Sequence, residues 1–277
     1  MPVSSDRAPE AAQRTFRPSA LIRGSVALHA LAAGALILRP PLWPWALAAV
    51  VADHLTLTAA GLWPRASLLG PNLTRLPSRA AARGEIAITI DDGPDPEVTP
   101  AVLALLDRHA ARATFFCIGE RIARHPQLAR EILARGHGLE NHSQRHLNHF
   151  SLLGPRAMRA EIAGAQESIA FATGAAARFF RAPAGLRNPF LEPELARAGL
   201  TLVSWTRRGF DTVSGDPDRV LARLLKRLAA GDILLLHDGH AARTASQDPV
   251  ILTVLPSLLA AVRAAGLKPV TLEAACA

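Results

Sequence analysis

Two different hydrophobic patterns divide this chain. Between Gly24 and Leu38 there is no Asp, Glu, Lys or Arg. After Arg39-Pro40-Pro41 a second apolar stretch runs from Leu42 to Trp63, interrupted only by Asp53-His54. A membrane-crossing helix needs about 20 apolar residues, so the first run spans only if Ala20–Ile22 join it and Arg23 snorkels. The proline pair ends a helix and makes a natural hairpin tip. Trp43, Trp45 and Trp63 stand near the run ends, where interfacial aromatics collect. The pattern predicts a membrane segment over 24–63, read as a two-helix hairpin. A cleaved signal peptide with Gly24–Leu38 as its core, or one span followed by an interfacial segment, are the other readings. Residues 1–23 are a basic N-terminal tail, and 64–84, with Pro64, Pro71 and Pro77, read as a linker.

From residue 85 to 277 the pattern becomes that of a separate α/β domain. Short β-prone runs at 86–90, 113–118, 137–140, 178–181, 200–205, 232–237 and 268–271 alternate with amphipathic stretches near 98–110, 126–135, 155–172, 191–198, 216–229 and 248–265. Nearly all-apolar strands such as 232–237 imply parallel strands buried on both faces. Seven such strands fit a doubly wound sheet or an incomplete (β/α) barrel. The polar residues decide for the barrel. Asp91 and Asp92, His142 and His146, Arg181, Asp211 and His237 each end or follow a strand, and in a barrel those ends converge on one mouth.

The residue types at that mouth suggest one chemistry. His142 and His146, at i and i+4, would share one face of a helical turn. With Asp92 they make a two-imidazole, one-carboxylate set that leaves a tetrahedral zinc open for water. Asp91 is then a second carboxylate beside that water and needs a counter-charge, for which Arg181 is the candidate. His237 can carry a proton, with Asp211 orienting it. His137 and His149 are out of register with the pair and read as solvated or satisfied core histidines. Water activation, proton removal by Asp91 and protonation of a leaving nitrogen by His237 amount to metal-assisted amide or ester hydrolysis. A backbone N–H in the loop 181–185 would serve the oxyanion.

Composition narrows the partners. The net charge is +8, yet only Lys226 and Lys268 among the 31 basic residues are lysines, and there is no tyrosine. Nucleic-acid grooves combine clustered cations with stacking aromatics, so no nucleic-acid partner is expected and the arginines read as solvated surface. Two cysteines, Cys117 and Cys276, exclude a disulfide scaffold or a four-cysteine zinc module.

The strings TIDDGP (89–94), HSQRH (142–146), RAPAG (181–185), the stretch ending at Asp211, and LLLH (234–237) resemble, in order, the five motifs of the polysaccharide deacetylases with a NodB-homology domain, carbohydrate esterase family 4. The resemblance implies a distorted (β/α)7 barrel over 85–277 that removes acetyl groups from N-acetylated sugars with zinc or a similar divalent ion. It implies Asp91 as base, His237 as acid, and Asp92, His142 and His146 as metal ligands. Arg181 would tune Asp91, Asp211 would tune His237, Leu235 would line the acetyl pocket, and the backbone N–H of Ala184 would meet the oxyanion. Ala184 stands where the family often has tyrosine, Thr212 where a tryptophan usually follows the aspartate, and Arg208 where another Asp is frequent; all three bear on the glycan subsite. An N-acetylated glycan is the expected substrate. A deformylase or deacetylase of a lipid-linked sugar, an O-acetyl esterase, and a non-catalytic glycan-binding membrane scaffold are the alternatives. Arg7, Arg14, Arg17 and Arg23 precede the apolar segment and Arg65, Arg75, Arg79 and Arg83 follow it, with Arg39 alone at the tip. Positive residues favour the cytoplasmic side, so a hairpin in a bacterial-type inner membrane is expected to leave the barrel facing the cytoplasm.

Overall fold

The computed structural model describes residues 14–277; residues 1–13, with Arg7 of the basic tail, lie outside them. Two antiparallel helices come first, α1 (Ala20–Leu38) and α2 (Trp43–Leu62), joined by a 3-10 turn at Pro40–Leu42. Both are long and apolar enough to cross a membrane, and they leave Leu31, Ile37, Leu47 and Leu55 exposed. Asp53, the charge interrupting the second run, turns toward the first helix. Its Oδ2 accepts from Ser25 Oγ at 2.7 Å and lies 3.9 Å from His29 Nδ1. His54 meets His29 rather than Asp53.

Residues 64–84 run along the barrel wall. Leu69, Leu76 and Ala80 are buried, Leu73 bridges Val203, and Ser78–Ala82 forms a short helix, α3. Gly61, near the end of α2, sits against this wall: a side chain there would place its first carbon 2.2 Å from the carbonyl oxygen of Arg187. The hairpin is therefore seated on the barrel by backbone contact that no larger residue permits.

The strands are β1 (Glu85–Asp91), β2 (Ala113–Cys117), β3 (Gly138–Asn141), β4 (Phe179–Phe180), β5 (Thr201–Leu202), β6 (Arg207–Arg208), β7 (Ile233–His237) and β8 (Lys268–Val270). All pair in parallel, in the order β5-β4-β3-β2-β1-β7-β6, with β8 against the start of β1. The two ends of that path, β5 and β6, are separated only by residues 203–206. Five peptide steps reach at most about 18 Å, whereas a flat sheet of seven strands is about 29 Å across. The sheet must curl, which makes it a distorted (β/α)7 barrel. The fifth run is shorter than the sequence predicts because Ser204 bonds to Leu73 and Thr206 to Ile233. β6, α3, α5 (Gly119–Arg124) and α11 (Leu272–Cys276) are elements the periodicity did not announce.

The helices wrapped around the sheet are α4 (Thr99–Arg108), α6 (Pro126–Ala134), α7 (Pro155–Thr173), α8 (Leu191–Arg197), α9 (Pro217–Leu225) and α10 (Val250–Ala264). Strand periodicity sorts the side chains into two sets. Ile86, Ile88 and Ile90 of β1 join the outer core under the helices, whereas Ala87 points into the barrel with Phe116, Phe179, Val203 and Ile233. In register, Ala87 lies beside Ile233, Thr89 beside Leu235, and Asp91 beside His237. The interior thus climbs from apolar to ionisable within five residues.

Glu140, on β3, is buried and its Oε2 accepts from the N–H groups of Arg178 and Phe179 at 2.8 Å each. Burial pushes its carboxyl up to about 8. The folded chain therefore holds a proton that the unfolded chain releases near pH 4.5, and stability falls as pH rises between those values. Glu140→Gln keeps an oxygen for both N–H groups and removes the charge. Its stability relative to the parent is expected to grow from pH 5 to pH 8 by on the order of a few kcal/mol, then level off. Urea unfolding midpoints across that range check this, and parallel curves would refute it.

Candidate active site

The barrel mouth opens into a cleft of about 270 Å³. Its walls carry Asp91, Asp92, His142, His146, Ala184, Leu235 and His237, seven of the nine residues picked out above. The other two, Arg181 and Asp211, are buried directly behind it.

Arg181 directly follows β4 and is 1% exposed. Its Nη1 donates to Asp91 Oδ1 at 2.5 Å and Thr89 Oγ1 at 2.8 Å, its Nη2 to the Ser204 carbonyl at 3.0 Å, and its Nε to the Val203 carbonyl at 3.3 Å. The guanidinium lies 4.1 Å from the ring centre of Phe116. A charge so deeply placed survives because its donors are matched and its counter-ion is adjacent. Asp211 is equally buried. Its Oδ2 accepts from the His237 backbone N–H at 2.7 Å and its Oδ1 from His237 Nδ1 at 2.9 Å, so the imidazole presents Nε2 to the cleft. Burial disfavours a charged His237, but the bond to Asp211 and the nearby Asp91 and Asp92 outweigh it and raise its pKa.

The 142–146 segment is not the helical turn expected from i, i+4 spacing. It is an irregular loop in which Ser143 and His146 take positive φ angles of 64° and 53°, and Ser143 Oγ accepts from the His146 N–H. The two rings still converge, with centres 4.8 Å apart. His142 donates through Nδ1 to the Arg181 carbonyl at 2.8 Å, which leaves Nε2 bare and aimed at Asp92. His142 Nε2 and His146 Nε2 stand 3.2 and 3.3 Å from Asp92 Oδ1, a buried oxygen without a hydrogen-bond partner among the described residues. Burial and the neighbouring His142 push His146 down to about 4, keeping it neutral. An orphaned carboxylate oxygen facing two imidazole nitrogens fits a divalent ion. Burial alone would raise the Asp92 pKa; contacts with His142 and His240 hold it well below the usual carboxylate range.

His137 and His149 stay out of this group: His137 is buried, accepting from the Ala113 N–H, and His149 is exposed.

Three wall residues, Asn148, His240 and Trp205, escaped the sequence reading. His240 donates through Nδ1 to the other Asp92 oxygen at 2.9 Å, while its Nε2 meets Arg121 Nη2 at 3.2 Å. Its only signal was its position three residues beyond His237. Trp205, at the end of the 200–205 run, supplies the aromatic wall near Thr212, with Arg208 5.4 Å from its ring centre. Asp92 itself has φ 74°, and Ala184 has φ 54°. Non-glycine residues in the left-handed region cost of order 1–3 kcal/mol each and gather at functional sites. Gly239 accommodates the Asp92 turn, since a side chain there would begin 2.3 Å from the Asp92 carbonyl oxygen.

The profile of the family described as polysaccharide deacetylase matches residues 78–203. A chitooligosaccharide deacetylase of Bradyrhizobium is 36% identical over 156 residues, covering 56% of this chain and 71% of that protein. A peptidoglycan-N-acetylglucosamine deacetylase of Bacillus cereus is 36% identical over 156 residues, covering 56% and 72%. Among solved structures, a family 4 carbohydrate esterase from Streptomyces lividans in complex with acetate superposes with a TM-score of 0.61 at 32% identity, covering 67% of this chain and 91% of that one.

Removing the Arg181 charge strands Asp91 in the interior. Arg181→Met is expected to cost about 3–5 kcal/mol of folding stability, and Arg181→Met with Asp91→Asn clearly less than the sum of the two. Chemical denaturation of the three variants tests the coupling; strict additivity would remove it.

Proposed function

Because the chain belongs to the polysaccharide deacetylase family, we propose that it hydrolyses the N-acetyl group of an N-acetylated sugar, with Asp91 as general base and His237 as general acid. The observation carrying this reading is the pairing of Asp91 and His237 side by side on β1 and β7, each held from behind by its own buried partner. In this reading Asp92, His142 and His146 would hold a divalent ion, zinc by donor type. When bound, the ion supplies a Lewis acid for the acetyl carbonyl and an acidified water. Asp91 takes a proton from the attacking water, and Arg181 keeps its free oxygen turned to the cleft. His237 delivers a proton from Nε2 to the departing amine nitrogen, and Asp211 keeps Nδ1 occupied so that only Nε2 can serve. Leu235 gives the acetyl methyl an apolar floor between Asp91 and His237. The backbone turn at Ala184 brings an N–H toward the developing oxyanion. His240 steadies Asp92 from the side through Oδ2, away from the oxygen that faces His142 and His146.

One observation favours a substrate presented at a membrane surface. Pro64, two residues beyond α2, touches the cleft wall: its carbonyl accepts from Ser204 Oγ at 2.5 Å, and a side chain on Gly185 would start 2.9 Å from its ring. The mouth is thus built against the base of the hairpin, which suits a lipid-linked sugar. In this reading 24–63 anchors the protein, 64–84 joins anchor to barrel, and the barrel faces the cytoplasm.

Asp92→Ala or His142→Ala is expected to abolish metal retention and turnover together, while Asp91→Asn and His237→Ala abolish turnover with the metal kept. Elemental analysis alongside acetate release separates these outcomes, and near-full activity in Asp91→Asn would refute the base assignment. The rate is expected to be bell-shaped in pH. Loss of the Asp211 charge lowers the His237 pKa, so the alkaline limb of Asp211→Asn moves to lower pH by about 1–3 units; a limb that stays put makes Asp211 purely structural. For topology, a phosphatase active only outside the cytoplasm, fused after Ala277, is expected to stay silent while a cytoplasmic reporter lights up. The opposite pair of signals places the barrel outside.

A further inference from the structure

The hairpin carries a polar cluster that deacetylation does not use. Ser25 and His29 of α1 face Asp53 and His54 of α2 midway along both helices, and one ligand atom from each of His29, Asp53 and His54 lies within 4.8 Å of the other two. The Asp53 side chain is 7% exposed and that of His29 42%. Ionisable groups in such apolar helices are costly and serve a purpose when present.

The hydrogen bonds fix the state of the site. His29 Nδ1 lies 2.8 Å from the Ser25 carbonyl oxygen, which can only accept, so this nitrogen carries the hydrogen. In the neutral ring Nε2 is then a bare lone pair, and it points at His54 Nε2 from 3.2 Å. A ring whose far N–H is spent on a backbone carbonyl is how metal-bound histidines are oriented, and His142 in the cleft is held in the same way, by the Arg181 carbonyl. Two nitrogens at 2.0–2.1 Å from a tetrahedral zinc are about 3.3 Å apart, so the histidine spacing already matches one edge of that polyhedron. Ser25 Oγ donates to Asp53 Oδ2 and orients the carboxylate, leaving Oδ1 for a third bond.

We infer that His29, His54 and Asp53 form a second divalent-metal site, of zinc type, that clips the two hairpin helices together. Binding moves the hydrogen shared between the rings to His54 Nδ1 and sets two positive charges against the Asp53 carboxylate. A carboxylate and two imidazoles select zinc over magnesium or calcium, which prefer all-oxygen shells. The site is independent of the catalytic reading, because the two share no residue.

The test uses the full chain in detergent micelles with the cleft ligands removed (His142→Ala with His146→Ala), so that any zinc retained is the hairpin's. Competition with a calibrated chromophoric chelator is expected to show one zinc per chain. Adding His29→Gln or His54→Gln, which keep a polar side chain in the helix, is expected to weaken it at least tenfold, with helix content by circular dichroism unchanged. Ser25→Ala is expected to weaken it less. Absence of zinc binding in the cleft-deleted protein, or equal binding after either glutamine substitution, overturns the site. Failure here with normal acetate release by the parent chain leaves the deacetylase reading intact.

Discussion

The structure turns on one buried guanidinium. Arg181 reaches from the end of β4 across the barrel and binds Asp91 and Thr89 on β1 and the Val203 and Ser204 carbonyls beyond β5. No apolar residue could join those elements in that way, because Asp91 and the Val203 and Ser204 carbonyls would lose these bonds in the interior, while Thr89 would keep another partner, the Leu234 carbonyl. The carbonyl of Arg181 also receives His142 Nδ1, so one residue orients the proposed base, Asp91, through its side chain and a candidate metal ligand through its backbone. The direction of the Asp91 carboxylate, the direction of His142 and closure of the barrel interior therefore depend on the same few bonds.

The cleft is assembled by layering. Along β1 and β7, inward positions pass from Ala87 and Ile233 through Thr89 and Leu235 to Asp91 and His237. The lower pairs exclude water and the upper pair meets it. Burial from below then acts against a charged His237, and Asp211 opposes it from behind. Asp238, one residue beyond His237, shows what happens without such a partner. Buried, with Thr99 Oγ1 as its one side-chain donor among the described residues, it is pushed up to about 7.

Most of this was legible in residues because strand ends in a parallel barrel must converge. Asp91, Asp92, His142, Arg181, Asp211 and His237 could be grouped from the rhythm of apolar runs before any contact was known. His146 was grouped correctly for the wrong reason: its partnership with His142 comes from two left-handed backbone turns, which spacing does not encode. His240 and Trp205 were missed because neither follows a run in a way that sets it apart; their roles arise from a glycine turn at Gly239 and from the curl that brings residues 203–206 over the mouth. The short elements α3, α5 and β6 lack a full period of any pattern, and their stability comes from packing rather than propensity.

Residues 64–84 are more than a spacer between hairpin and barrel. Leu69, Leu76 and Ala80 are core residues of the barrel wall, Pro64 packs behind the cleft-lining Gly185, and Gly61 of the helix is locked under Arg187. Cutting the chain at residue 85 would thus open a greasy seam down one side of the barrel and take away part of the mouth's backing. The barrel and the apolar hairpin therefore cannot be traded between proteins like cassettes, because each carries part of the surface the other packs against.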